Sequence, residues 1–200
     1  HNVEYVGDST IFLFDNMYMQ EAASRLLALH VDEEAKTATV TWEHVFGVGT
    51  RDWMAGYAAV FGDHDRLPTG NHHANWWPGN TSGVNNNVRS QIIELTTETQ
   101  DVALQIDIRD NETISDMTSE WKIYASERIY GQPLLYDASC DAGIDADADV
   151  ALVATTINTY KESHSRNGTL ELLDAAGNVA AKRVISWDAF WRPSTFHATF

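Results

Sequence analysis

Short apolar runs broken by polar turns, with no stretch that keeps a helical period, dominate this chain and predict strands throughout. Thr37-Ala38-Thr39-Val40-Thr41-Trp42-Glu43 alternates strictly. Ala38, Val40 and Trp42 fall on one face and the threonines and Glu43 on the other, as in a strand with one face in the core and one in water. Thr10 to Phe14 reads as a buried inner strand and Arg25 to Val31 as its partner. Asp32-Glu33-Glu34-Ala35-Lys36 is a tight acidic hairpin connection between that partner and Thr37. Val102 to Ile108 reads as an outer strand, and Trp121 to Tyr130 as one more that Gln132-Pro133-Leu134 ends. Val150 to Ile157, Gly168 to Leu173 and Ala180 to Ser186 follow as short strands, the last two joined by a hairpin at Asp174-Ala175-Ala176-Gly177-Asn178.

The strands recur as a unit. His1-Asn2-Val3-Glu4-Tyr5, Ile11-Phe12-Leu13-Phe14-Asp15-Asn16 and Ser24 to Asp32 form one series. Gly62 to Asn71, His72-His73-Ala74-Asn75-Trp76-Trp77 and Arg89 to Leu95 form a second, offset by about 60 residues and near the repeat lengths of propeller blades. The expected fold is therefore all-β: a partial β-propeller of two to three blades over 1–136, an acidic linker over 137–149, and a small β-sheet or sandwich over 150–200. Phe46 to Phe61, with Trp53 and Tyr57, is expected to be a long loop between blades, the kind of segment that carries function on a rigid scaffold. The alternating aspartates from Asp141 to Asp149 resemble the start of a calcium loop but lack its central glycine and closing glutamate, so they are assigned to the linker.

Charge narrows the partners. The formal net charge is −16, from 13 Lys and Arg against 29 Asp and Glu, a field that repels phosphate backbones and excludes nucleic acid as the expected partner. No apolar run approaches the roughly 20 residues that cross a bilayer as a helix. The chain opens on His1 without an initiating Met, which reads as a piece or a processed product of a longer protein. Cys140 is alone and forms no internal disulfide. Sequons at Asn80, Asn111 and Asn167 are possible glycosylation sites in polar, turn-like stretches, and with the acidity they point to an extracellular or secretory-pathway location.

His64, His72 and His73 form the densest histidine cluster, yet no Cys pair or helical His pair supports a zinc site, and neighbouring strand residues point to opposite faces. There is no Gly-x-Ser-x-Gly elbow and no phosphate-cradling loop, so neither a serine hydrolase nor a nucleotide-dependent enzyme is expected. No cofactor is expected.

The strings His1-Asn2-Val3-Glu4, Phe12-Leu13-Phe14-Asp15-Asn16, Ser24 to Leu29 and Lys36 to Glu43 resemble the nucleotide-independent aryl sulfotransferase family. Asp63 to Asn71, with its Leu-Pro-x-Gly-Asn turn, looks like the next blade, and Ser126 to Tyr130 with Pro133-Leu134 extends the likeness to about residue 136. In place of the family's glycine after Phe-Asp-Asn, this chain has Met17. The resemblance implies a propeller that moves a sulfuryl group from an aryl sulfate to a phenol through a sulfated histidine, and the matching position here is His1. A neutral imidazole suits that role, being nucleophilic near neutral pH and a good leaving group once sulfated. The family's other catalytic side chains lie on earlier blades, and a closed propeller takes about four to eight blades. These residues by themselves are therefore expected to be inactive. The alternative is a non-catalytic propeller that binds carbohydrate or protein through Trp53, Tyr57, Trp76 and Trp77.

Overall fold

The computed structural model describes residues 1–17, 23–47, 57–77, 88–109, 122–142, 150–158, 161–189 and 191–199, and every regular element among them is a strand. The chain is all-β. It divides into two units, His1–Arg128 and Ile129–Phe200.

The first unit holds two antiparallel sheets of four strands, each a simple meander. One is β1 (Glu4–Tyr5), β2 (Thr10–Asp15), β3 (Arg25–Asp32) and β4 (Thr37–Val45). The other is β5 (Asp63–Arg66), β6 (His72–Trp76), β7 (Val88–Leu95) and β8 (Val102–Arg109). The repeat read from sequence is real at the level of single pairs. Glu4 faces Phe12 in the first sheet and Asp65 faces His73 in the second, a shift of 61 residues. The connecting turns match too: Val6 N–H donates to Thr10 O at 3.0 Å, and Leu67 N–H donates to Asn71 O at 2.8 Å.

Phe14 and Leu26 from the first sheet, and Phe46 just past the end of β4, meet Ala74, Trp76, Ile93 and Leu95 from the second, with Ala58 in the same cluster. Trp76 packs on Phe46 with ring centroids 4.1 Å apart. This is the apolar surface that each one-faced sheet must bury. The hairpin at Asp32 forms as expected, its Oδ1 accepting the N–H groups of Glu34 and Ala35. The alternation of β4 does not carry through. Ala28 pairs with Trp42 but Leu29 with Val40, so Thr41 is an extra residue, a β-bulge. The bulge puts Trp42 on the face of buried Ala28 and Val40 on the other face, where Val40 is 50% exposed.

Residues 122–130, expected to be a strand, form none. Side chains hold the segment instead: Ser90 Oγ accepts the Ile123 N–H at 3.2 Å, and Asp63 Oδ2 accepts the Ser126 N–H at 3.3 Å.

In the second unit, β9 (Leu134–Ala142), β10 (Val150–Ile157) and β13 (Ser194–Thr199) form a three-stranded sheet with β10 in the middle. The stretch assigned to the linker thus begins inside β9. β11 (Arg166–Leu173) and β12 (Val179–Trp187) make a hairpin whose turn is capped by Asp174, as the sequence predicts. Hydrogen bonds from the Asn178 and Ala176 amides hold the Asp174 carboxyl below its usual range. Trp187 ties the hairpin to the sheet, donating from Nε1 to Thr156 Oγ1 at 3.3 Å and meeting Phe196 edge to face. Its ring covers Gly168 so closely that no Cβ fits there without displacing it. Gly168→Ala is therefore expected to destabilise this unit by about 2 kcal/mol, as overpacking does. A thermal melt, with near-ultraviolet circular dichroism reporting on Trp187, measures it.

Candidate functional site

His1 lies at the start of the first sheet, where its backbone continues the ladder: the amino group donates to Phe14 O at 2.6 Å and Phe14 N–H donates to His1 O at 3.0 Å. Its imidazole is exposed and lies against an aromatic cluster drawn from distant segments. The ring meets Tyr124 edge to face at 5.4 Å and Phe61 at 6.4 Å. Phe61 in turn contacts Tyr124 at 5.6 Å and Trp77 at 6.2 Å, and Lys122 Nζ sits 4.9 Å over the Trp77 ring.

One buried carboxylate draws these segments together. Asp63, at the head of β5, accepts hydrogen bonds from Asn2 Nδ2, from the His64 N–H at 2.9 Å and from the Ser126 N–H. Burial, and then the neighbouring Asp65, push its pKa up, while the donors from Asn2, Ser126 and His64 pull it back. Asn2 reaches the carboxylate from a left-handed backbone with φ of 43°, a conformation asparagine tolerates better than most residues. Asp63 therefore fixes the residue after His1 and the segment that carries Tyr124, while Asn16 Nδ2 holds Phe61 by donating to its carbonyl at 2.8 Å.

The expected histidine cluster separates into two partnerships. His73 Nε2 lies 3.0 Å from Ser126 Oγ. His72 instead bonds to His64, Nδ1 to Nε2 at 2.9 Å, and stacks on Trp42 with ring centroids 3.6 Å apart. Burial, then Arg66 and His44, lower the His72 pKa to about 4, so this imidazole is neutral at pH 7. Among the described residues no group of three His, Cys, Asp or Glu converges on a metal position, and no helix is long and apolar enough to cross a membrane.

No family model, no curated protein and no solved structure matches this chain.

Of the residues read from sequence, the structure gathers His1 and Trp77 into one cluster and leaves Tyr57 half-buried elsewhere in the unit. Trp76 belongs to the core and cannot serve a stacking surface, because it ends β6 pointing into the space between the sheets. Trp53, Asn80 and Asn111 lie outside the described residues. Asn167 is exposed and lies within β11, paired with Ser186, not in a turn. Phe61, Tyr124, Lys122 and Asp63 had no individual signal in the sequence. Their role rests on contacts that span about 60 residues, such as Ser126 to Asp63.

Proposed function

We propose that this chain is part of a nucleotide-independent sulfuryl-transfer protein of propeller architecture, in which His1 carries the sulfuryl group from an aryl sulfate to a phenol. The observation that carries this reading is the exposed His1 imidazole set against the rings of Tyr124 and Phe61. A nucleophile for aryl sulfates needs an accessible lone pair beside a surface that accepts an aromatic ring, and edge-to-face contacts provide one. Lys122, over Trp77 in the same cluster, supplies positive charge for a sulfate or a departing phenolate. The two meanders, equivalent pair by pair, support their assignment as consecutive blades.

In this reading an imidazole nitrogen attacks sulfur, and the S–O bond to the ring breaks with its electron pair on the departing phenolate. Protonation gives the phenol. The oxygen of the acceptor phenolate then attacks the sulfur of the N-sulfo-imidazolium, and the S–N bond breaks to restore the neutral ring. No nucleotide enters either half.

The test is mass spectrometry of the whole gene product after brief exposure to 4-nitrophenyl sulfate. The expected result is a sulfuryl adduct on the peptide bearing His1, lost on adding phenol and absent in His1→Ala. Folded protein that forms no adduct and releases no nitrophenolate overturns the reading. Tyr124→Ala is expected to raise the KM for 4-nitrophenyl sulfate several-fold with kcat nearly unchanged, as removal of an aromatic contact of about 1 kcal/mol would.

A further inference from the structure

We infer that the cavity between the two sheets of the first unit binds a small, neutral, polyhydroxylated molecule, a monosaccharide or simple glycoside. This site is separate from the His1 cluster and does not depend on the sulfuryl-transfer reading. Its volume, about 410 Å³, lies within the roughly 300–1,000 Å³ of small-molecule sites.

The chemistry of the lining follows from where its hydrogens are committed. Thr10 donates its hydroxyl hydrogen to Asp8 O at 3.2 Å, Thr41 to Ala28 O at 3.1 Å, and Thr97 to Gly70 O. A carbonyl only accepts and a hydroxyl has one hydrogen, so all three threonines present lone pairs to the cavity.

His72 is held in the same sense. Leu13 O lies 3.3 Å from His64 Nδ1, which fixes the His64 hydrogen on Nδ1 and leaves its Nε2 an acceptor. The 2.9 Å bond between His64 Nε2 and His72 Nδ1 then requires the hydrogen on His72 Nδ1. His72 Nε2 is left with a lone pair on the cavity wall, and it takes no hydrogen bond from any described residue although the side chain is only 3% exposed. Thr41 reaches the cavity because it is the bulged residue of β4, and Trp42 is locked against His72 by its own Nε1 bond to Thr97 O at 2.9 Å.

The rim carries one cation and one anion. Arg66 and Glu98 both line the cavity, and neither side chain makes a hydrogen bond or ion pair with another described residue. An anionic ligand would meet four acceptor atoms and a carboxylate, with only Arg66 and the Thr69 hydroxyl, whose oxygen accepts the Asn71 N–H at 3.4 Å, able to donate to it. A cationic ligand would meet Arg66. A polyol satisfies both sets, donating O–H hydrogens to the threonine oxygens, His72 Nε2 and Glu98 while its oxygens accept from Arg66. The apolar side chains of Phe12 and Ala28 in the lining suit the C–H face of such a ring.

The experiment is saturation-transfer NMR on the full chain with the methyl glycosides of glucose, galactose, mannose and xylose at millimolar concentration, with phenyl sulfate and choline as charged probes. The expected result is saturation of at least one glycoside, unchanged in His1→Ala, with affinity weakened about five- to tenfold in Thr97→Val and in Arg66→Met, the loss from one hydrogen bond. Both variants alter exposed residues, and their amide spectra check the fold. Ring ¹⁵N shifts should show a pyridine-like Nε2 on His72 that moves when the glycoside is added. Transfer to phenyl sulfate or choline alone, no transfer to any glycoside, glycoside binding indifferent to both variants, or a proton found on His72 Nε2 would each overturn the assignment.

Discussion

Gly62→Ala is expected to destabilise the first unit by about 4 kcal/mol, the sum of two separate penalties of roughly 1–3 kcal/mol each. Gly62 has φ of 114°, a region side-chain-bearing residues rarely adopt. A Cβ there would also lie 2.6 Å from the ring of Phe14, which is fully buried between the sheets. Urea unfolding followed by tryptophan fluorescence measures the loss as a lower midpoint at unchanged slope. The double variant with Phe14→Leu separates the two causes. If crowding matters, the double variant loses less than the sum of the single changes, and a strictly additive result would assign the whole effect of Gly62→Ala to the backbone.

Acid should weaken the same unit through His72. The group's pKa is 6.5 when unfolded and about 4 when folded. Between those values the unfolded chain binds a proton that the folded chain does not, so the contribution of His72 is complete above pH 6.5 and falls as pH drops towards 4. At roughly 1.4 kcal/mol per unit the whole loss is about 3 kcal/mol. The groups that face this ring are His64, Trp42, Phe12, Arg66 and His44. Asp63 works in the opposite direction near the bottom of the window, because a carboxyl with a raised pKa favours the folded state as it protonates. The upper part of the window therefore reports His72 most cleanly. In His72→Phe the ring stack on Trp42 is kept but the bond to His64 is lost, so the protein should be less stable at pH 7 while its stability there changes less with acid. An unchanged pH slope in that variant would assign the acid sensitivity to other groups.

What was legible in the sequence is the local chemistry. The Asp32 and Asp174 hairpins and the equivalence of the two first-unit sheets follow from turn residues and spacing, which act over a few residues. Single-residue insertions were not legible. Thr41 breaks the alternation of β4 without any change in composition. In β9, Asp137 marks another bulge, with φ of 52° where the register against β10 slips. It lies at the start of the 137–149 stretch expected to be a linker. Because the described β9 residues are mostly exposed, polar side chains do not oppose pairing there. The aromatic cluster around His1 was hidden for a different reason: side-chain acceptors on Asp63 and Ser90 position residues 122–126, and no periodicity records such a bond.

Ser24 makes the excursion after the first sheet begin and end on one residue. Its carbonyl accepts the Phe46 N–H at 3.0 Å, and its hydroxyl oxygen accepts the Ala58 N–H at 2.9 Å. A segment whose two ends are held by the same residue passes little of its length on to the sheets. Insertions and deletions should accumulate between Phe46 and Ala58 as this protein diverges, leaving the pairing of β3 with β4 and of β5 with β6 unaltered.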